Sequence, residues 1–388
     1  MSDIFTSAFS ALSHGVLGYA IPFLFVLTIV VFFHELGHFL VARWAGVKVL
    51  TFSLGFGPEL AGFNDRHGTR WKISAIPLGG YVKFFGDESE ASTPSSSALA
   101  AMTAQEREQS FHHKPVGKRA AIVAAGPIAN FILAIVIFTT LFTVFGKPST
   151  TARVDSIQEG GAAAAAGFQP GDIVTAIDGQ AITSFTEMQR AVSVAPGQKL
   201  AFTVQRSGTS QEIVATPELK EVKDNFGNTH RIGVLGITRA TQPTDVTTER
   251  VNPARAFVLG IKETWFVVER TLSYIGGVFA GREAADQVGG PLRIAQISGQ
   301  VATIGIAALI NLAAVLSISI GLLNLFPVPL LDGGHLLFYA AEALRGKPLP
   351  ERAQEMGFRI GLGLVLMLMV FATYNDFHQI PFFKNLLG

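Results

Sequence analysis

The stretch "VVFFHELGHFLVARWAG", residues 30–46, places two histidines and a glutamate inside a run of Val, Phe and Leu. Ionisable groups are costly at membrane depth, so this cluster indicates a functional site if the run crosses a bilayer. On a helix, His34 and His38 lie on one face with Cβ atoms about 5–6 Å apart, and two imidazoles at that spacing can share one zinc ion. Glu35 projects beside them, where it can take a proton from an attacking water and pass it to a leaving amine. The alternative is a chance HExxH in a long helix, which the cost of placing three such groups in lipid disfavours.

The composition of the chain indicates whether residues 30–46 lie in a membrane. Of 388 residues, 49% are hydrophobic and only 15% are charged, against roughly 25% charged residues in a soluble domain. The net charge of +1 and the lack of a basic stripe with interleaved aromatics argue against a nucleic-acid partner. Cysteine is absent, which excludes disulfides, a thiolate nucleophile and Cys-ligated metal. We therefore expect a membrane protein in which any metal is held by histidines and carboxylates.

Apolar stretches of about 20 residues mark candidate transmembrane helices. Four such stretches stand out, at residues 18–42, 119–145, 303–326 and 358–374. Residues 1–42 contain no Lys or Arg, whereas Arg43 and Lys48 follow the first stretch, so the N-terminus is expected outside and residue 43 inside. The missing basic n-region also argues against a cleavable signal peptide.

A fifth apolar segment, residues 254–280, differs from the four predicted spans. It contains Lys262, Glu263, Glu269 and Arg270, which fall near one helical face. That pattern predicts a helix lying in the membrane interface rather than crossing the bilayer.

The segments between the spans have their own character. Residues 147–245 contain short alternating runs with Gly, Pro-Gly and Asp-Gly turns, which predict a small α+β domain on the outer side. Residues 70–86 alternate around Pro77 and a Gly-Gly pair, and we expect a hairpin there that touches the membrane from the inside. The composition of residues 88–110, which are rich in Ser, Ala and Glu, predicts a flexible loop.

A catalytic zinc has three protein ligands and one open position, so a third ligand is required. "NLFPVPLLDGGH", residues 324–335, lies at the inner end of the third predicted span and offers Asn324, Asp332 and His335. Its prolines and glycines break the helix, which is tolerated at membrane depth where the backbone lines a cavity. Asp332 has an alternative role as a cap of the next helix. With four spans it shares a membrane side with His34 and His38, whereas a fifth span would separate them.

Several motifs together resemble the site-2 proteases, and within that family the bacterial branch that regulates sigma-E. The motifs are HELGH, "TFSLGFGPEL" (51–60), "IPLGGYVKFFGDE" (76–88), "GKRAAIVAAGPIANF" (117–131) and "NLFPVPLLDGGH". The resemblance implies that His34, His38 and Asp332 bind zinc and that Glu35 is the catalytic carboxylate. It also implies that Asn324 contacts the substrate or stabilises the oxyanion, a role that suits an amide donor.

The same resemblance implies an architecture and an activity. The fold class is an α-helical membrane protein with four transmembrane helices, an inserted α+β PDZ-like domain and a membrane-associated β-hairpin that holds substrate extended. The activity is that of an intramembrane zinc endopeptidase which cleaves transmembrane segments of single-span membrane proteins, such as anti-sigma factors and remnant signal peptides, after trimming on the periplasmic side. The expected location is the bacterial inner membrane, with both termini periplasmic, membrane lipid around the chain and no nucleic-acid partner.

One departure from the family and two alternatives remain open. Similar relatives often carry two PDZ domains in tandem, whereas residues 147–245 have room for about one. A PDZ receptor or scaffold with a structural metal would not require Glu35, and a transporter would be expected to show inverted repeats, which we do not find. The expected organisation is a first transmembrane helix with HELGH (1–45), a cytoplasmic hairpin and loop (46–116), a second transmembrane helix (117–146), the PDZ-like domain (147–245), an interfacial helix and connector (251–302), a third transmembrane helix (303–326), a cytoplasmic Asp-Gly-Gly loop and helix (327–357), and a fourth transmembrane helix with a periplasmic tail (358–388).

Overall fold

Ten helices occur in the residues that the computed structural model describes, which are 2–87, 102–223, 229–239, 247–281 and 289–379. They are α1 (Ser2–Trp44), α2 (Ala104–Gln109), α3 (Val116–Phe145), α4 (Ala162–Ala166), α5 (Phe185–Ser193), α6 (Pro253–Phe279), α7 (Pro291–Ile304), α8 (Ile306–Asn324), α9 (Asp332–Arg345) and α10 (Glu351–Gln379).

The same residues contain twelve strands. They are β1 (Val49–Asn64), β2 (Arg70–Phe84), β3 (Lys147–Ser149), β4 (Ser156–Ile157), β5 (Ile173–Ile177), β6 (Gln180–Ala181), β7 (Leu200–Arg206), β8 (Thr209–Ala215), β9 (Glu218–Lys223), β10 (Thr229–Val234), β11 (Ile237–Thr238) and β12 (Thr247–Glu249).

Four of the described helices are long and apolar enough to cross a membrane, which confirms the prediction of four spans. The candidate spans are Leu17–Trp44, Val116–Phe145, Ile306–Asn324 and Arg352–Phe377. The third begins later than expected, because residues 303 and 304 end α7 and a break at Gly305 separates α7 from α8. The segment predicted as an interfacial helix is helical as α6 and is not among the four. Its place in the interface remains a prediction.

Contacts divide the chain into two units, which we describe separately. Unit 1 comprises Met1–Phe138, Gly260–Val268 and Val288–Gly388, and unit 2 comprises Thr139–Leu259 and Glu269–Gln287. In unit 1, α1 packs against α7, α8 and the sheet formed by β1 and β2. An aromatic cluster joins α1 to that sheet, because Phe39 meets Phe52 and Trp71 edge-on and the last two rings stack 4.2 Å apart.

The predicted hairpin exists, but the prediction placed its turn wrongly. Residues 70–84 form the single strand β2, whose partner β1 contains the "TFSLGFGPEL" motif. The turn lies between the strands, where Asp65 accepts hydrogen bonds from the backbone N–H groups of His67 and Thr69 through its Oδ1. This use of an Asp side chain to form a turn is common. The alternation around Pro77 and the Gly-Gly pair instead predicts a turn at those residues, which lie within β2.

The β1–β2 sheet is curled so that each strand contributes two segments. Residues 51–54 pair with 80–83 on one side and with 70–73 on the other, and residues 61–64 pair with 70–73. The order across the sheet is therefore 61–64, 70–73, 51–54, 80–83. This order places residues 80–83 at one edge of the sheet.

The segment predicted as a loop at residues 88–110 is helical near its end. Residues 88–101 lie outside the described residues, but α2 occupies Ala104–Gln109. Thr103 and Glu106 form a reciprocal capping box at its start. This local signal nucleates a short helix inside a polar segment, and composition alone did not reveal it.

In unit 2, a four-stranded sheet has the order β6-β5-β7-β8 and accompanies the short helices α4 and α5. The short alternating runs predicted between residues 147 and 245 include strands β5, β7 and β8. The core of unit 2 consists of buried apolar side chains, including Val154, Val174, Phe202 and Val204. The α+β character of the domain is confirmed, and its likeness to a PDZ domain remains a prediction.

The predicted periplasmic tail begins within α10, and residues 380–388 lie outside the described residues.

Candidate metal centre and active site

The helix α1 brings the two histidines of HELGH together, as the spacing of four predicted. Their ring centroids are 4.8 Å apart and the two Nε2 atoms are 3.3 Å apart. Both side chains are nearly buried, with 12% of His34 and 11% of His38 exposed. The two rings therefore point their Nε2 atoms at one small volume.

Asp332 supplies the third group from the first residue of α9. Its Oδ2 lies 3.3 Å from Nε2 of His34 and 3.5 Å from Nε2 of His38. The next residue must be small, since a Cβ on Gly333 would come within 2.3 Å of the carbonyl oxygens of Leu325 and Phe326. The Asp-Gly-Gly sequence thus lets α9 begin tightly against the start of the preceding loop, with Asp332 aimed at the histidines.

The three residues fit a zinc site. Candidate ligand atoms from His34, His38 and Asp332 all lie within 4.8 Å of one another. Oδ2 of Asp332 is buried without a hydrogen-bond donor, and such an atom is costly unless a cation or donor satisfies it. Two imidazole nitrogens and one carboxylate oxygen are a donor set that zinc accepts while keeping a position open.

The charge state of Asp332 also suits a ligand. Burial raises the pKa of this carboxyl, but the neighbouring His38 and His34 outweigh burial and hold the pKa well below its usual value. Asp332 is therefore ionised at neutral pH. Burial lowers the pKa of His335, three residues further along α9, so that His335 is neutral at that pH.

The helix α3 contacts both histidines. Nδ1 of His38 donates to the carbonyl oxygen of Ile122 over 2.9 Å. That carbonyl lies five residues before Pro127, next to the turn that an interior proline distorts. With its proton held on Nδ1, His38 keeps the lone pair on Nε2 for a metal.

Glu35 and Asn324 border the same cavity, which has a volume of about 250 Å³. Asn324 is the last residue of α8, and its Nδ2 lies 3.4 Å from Nε2 of His34. Glu35 approaches the edge segment 80–83, where a Cβ on Gly80 would be 3.0 Å from Cγ of Glu35. The structure thus brings all five predicted site residues around one cavity. Of the three candidates for the third ligand, Asp332 belongs to the group that could hold a metal, whereas Asn324 and His335 line the cavity.

Sequence reasoning missed two residues of α3 at this site. A Cβ on Gly126 would lie 2.2 Å from Nε2 of His38, so only glycine leaves room for the ring. Asn130 is fully buried, with Nδ2 3.3 Å from Nδ1 of His34. A polar side chain in the middle of an apolar span was the available signal for Asn130. Nothing in the sequence distinguished Gly126 from other glycines in the spans.

Comparisons with known proteins agree with this geometry. Residues 22–368 match the family model described as peptidase family M50. The chain is 52% identical over 359 residues, 92% of this chain and 95% of the relative, to a protein of Agrobacterium fabrum named "Putative zinc metalloprotease Atu1380". It is 39% identical to Metalloprotease MmpA of Caulobacter vibrioides, covering 96% and 99% of the two chains. It is 30% identical to the Regulator of sigma-E protease RseP of Salmonella typhimurium, covering 92% and 98%.

These relatives refine the expected resemblance. The sigma-E regulator is a more distant relative than the other two, so the likeness belongs to the family more than to that branch. The scaffold and transporter alternatives fall away, because the family consists of peptide hydrolases. The chain therefore belongs to peptidase family M50, the site-2 protease family of zinc metalloproteases.

Proposed function

We propose that this protein is an intramembrane endopeptidase that cleaves transmembrane segments of single-span membrane proteins. In this proposal His34, His38 and Asp332 hold the zinc, Glu35 moves the proton, and Asn324 stabilises developing negative charge. The observation that carries it is the convergence of three ligand atoms beside Glu35, on helices that include candidate membrane spans. His34 lies ten residues before the end of the first span, or about 15 Å along a helix that rises 1.5 Å per residue.

The chemistry is hydrolysis of a peptide bond. Zinc, when bound, polarises the scissile carbonyl and makes water a stronger nucleophile. Glu35 accepts the proton of the attacking water as the oxygen adds to the carbonyl carbon, and it returns that proton to the nitrogen as the C–N bond breaks. The amide of Asn324 donates to the oxygen on which negative charge develops. The products are a carboxylic acid and an amine, which become a carboxylate and an ammonium group when the second proton of the water passes to the amine.

The curled β1–β2 sheet supports a way to present the substrate. A helix hides its peptide bonds, so a transmembrane substrate must become extended before cleavage, and adding it to a sheet edge stabilises that form. Gly80, Tyr81 and Val82 line the cavity beside Glu35 and belong to the edge segment 80–83. Leu60 and Phe63, elsewhere in the same sheet, are 69% and 62% exposed, as expected of a sheet that contacts lipid.

We further propose the location and substrate class. Arg43 and Lys48 after the first span favour an inner-membrane protein with both termini periplasmic and the site toward the cytoplasmic side. The likeness to a regulator of sigma-E favours anti-sigma factors as substrates, with remnant signal peptides as a second class. Residues 147–245, within unit 2, would then be the periplasmic PDZ-like domain, which excludes substrates that still carry a folded outer portion.

Glu35→Gln tests the activity. A single-span substrate is co-expressed with the wild-type chain or with the variant, in a trimmed form and in a form that keeps its outer domain. The wild type is expected to cleave only the trimmed form, and the variant neither, because an amide cannot accept the proton from water. Zinc content should be equal in both proteins. Cleavage by Glu35→Gln at the wild-type rate would disprove the role of Glu35, and cleavage of the untrimmed form would disprove the requirement for trimming.

A further inference from the structure

Asn130 is a buried polar side chain that the proposed mechanism does not use. It lies within α3, in a candidate membrane span, and is completely buried. Its Nδ2 is 3.3 Å from Nδ1 of His34, and its Oδ1 has no hydrogen-bond partner. A buried amide oxygen without a donor is costly, so its presence beside a ligand histidine calls for an explanation.

The requirements of His34 provide that explanation. Its Nε2 faces Nε2 of His38 and Oδ2 of Asp332, so Nε2 is the atom that can bind a metal. A neutral imidazole that offers the Nε2 lone pair carries its proton on Nδ1, and this N–H then needs an acceptor. For His38 the acceptor is the carbonyl oxygen of Ile122. For His34 the adjacent group is the side chain of Asn130.

We propose that Asn130 is the positioning residue of His34, with its amide oxygen accepting the hydrogen bond from Nδ1–H when Nε2 binds zinc. The two ends of a carboxamide have the same shape, so the group can present either atom to Nδ1. The nitrogen suits the tautomer whose proton is on Nε2, and the oxygen suits the tautomer that binds metal. A rotation of the Asn130 carboxamide that exchanges its Nδ2 and Oδ1 brings the unpartnered Oδ1 to the proton on Nδ1 of His34. The inference rests on His34 being a ligand, as in the proposed function.

The surroundings of Asn130 fix where its side chain can reach. The hydroxyl of Ser317, on α8, donates to the backbone oxygen of Asn130 over 2.9 Å in a buried contact. A Cβ on Gly321, one turn further along α8, would lie 3.1 Å from Cβ of Asn130. The helices α3 and α8 are thus in close contact at this turn, and the amide is directed toward α1. Partners that orient a metal-binding histidine in this way raise its basicity and its affinity for the metal.

Zinc affinity tests the proposal without reference to cleavage. The full chain is purified in detergent, and its zinc affinity is measured by competition with a chromophoric chelator. Asn130→Leu has a similar size but no acceptor, and it is expected to weaken zinc binding roughly 10–100-fold. Asn130→Asp presents an oxygen in either orientation, so its affinity should stay close to that of the wild type. The visible spectrum of the Co²⁺-loaded protein should change in Asn130→Leu and be retained in Asn130→Asp, because it reports the ligand geometry.

Two further variants make every outcome decisive. Asn130→Ala removes the acceptor without adding bulk, and it should show the same loss if Asn130→Leu does not fold. Wild-type affinity and spectrum in the acceptor-free variants, or an equal loss in Asn130→Asp, would overturn the positioning role. His34→Ala distinguishes a failure of the positioning role of Asn130 from a failure of the assignment of His34 as a ligand. If it loses zinc while the Asn130 variants do not, only this inference fails, and if it binds zinc like the wild type, the ligand assignment itself fails.

Discussion

Asp332 and His335 both lie in the first turn of α9 and both border the cavity, but only Asp332 places a ligand atom near both imidazoles. The distinction is one of direction at the scale of a single residue. Residues three apart on a helix are neighbours, but the carboxylate of Asp332 faces both imidazoles, whereas the ring of His335 lies 5.3 Å from that of Phe358. From the sequence alone, both residues were candidates for the third ligand.

We expect Asp332→Ala to lose most of its zinc and all measurable cleavage, because one of three protein ligands is removed. His335→Ala serves as the matched control from the same turn and should keep its zinc. His335 is neutral at neutral pH because burial lowers its pKa, so its removal leaves the charge of the site unchanged. The measurement is zinc content by atomic absorption on both purified proteins. Full metal content in Asp332→Ala, or equal losses in both variants, would contradict the assignment.

At the scale of elements, the site depends on how closely helices and loops approach each other. The loop between α8 and α9 carries Leu330 at φ +99°, a backbone conformation that side chains rarely adopt. The same loop packs against α10, where a Cβ on Gly361 would lie 1.6 Å from the carbonyl oxygen of Pro329. Thus α10, which contributes none of the predicted site residues, confines the loop that ends at Asp332.

Gly361→Ala is therefore expected to displace this loop and lower activity at least tenfold, with a lower midpoint of thermal unfolding. Gly363→Ala is the control, since it makes the same change two residues away on α10, where a Cβ meets nothing within 4 Å. Cleavage of the trimmed substrate and the unfolding midpoint in detergent are measured for both. Equal behaviour of the two variants would show that contact between α10 and the loop is unimportant.

At the scale of the whole molecule, four candidate spans separate segments of different composition. An even number of spans returns both termini to one side, and the basic residues after the first span predict which side that is. The proposed side of the metal centre, the location of unit 2 and the direction from which substrates are trimmed all follow from this orientation.

Because the chain has no cysteine, single cysteines can test the orientation directly. Ser210→Cys, in an exposed position of unit 2, should react with a membrane-impermeant thiol reagent added to intact spheroplasts. Glu108→Cys and Ala353→Cys, also exposed, should react only after the membrane is permeabilised. The reverse labelling pattern would overturn the proposed orientation, and labelling of all three in intact cells would contradict the four-span topology.

The sequence by itself determined the membrane class, the four spans, the existence of a β-hairpin and the α+β character of the inserted domain, and it predicted His34, Glu35 and His38 as part of a metal centre. Those features are encoded locally, since apolar length, helical spacing and alternation are properties of short segments. The prediction of Asp332 as the third ligand rested on a helix-breaking motif and on a family resemblance. Both histidines and Glu35 followed from the spacing within one helix.

Only the tertiary structure decided the rest. The turn at Asp65 was missed because the glycines at 79 and 80 look like turn residues, yet Gly80 is required by the close approach of β2 to α1. The roles of Gly126, Asn130 and Gly361 depend on atoms supplied by other helices, and the sequence does not specify which helix faces which. Spans of similar hydrophobicity can pack in several arrangements, and the arrangement is chosen by the fit of small residues and buried polar groups between helices.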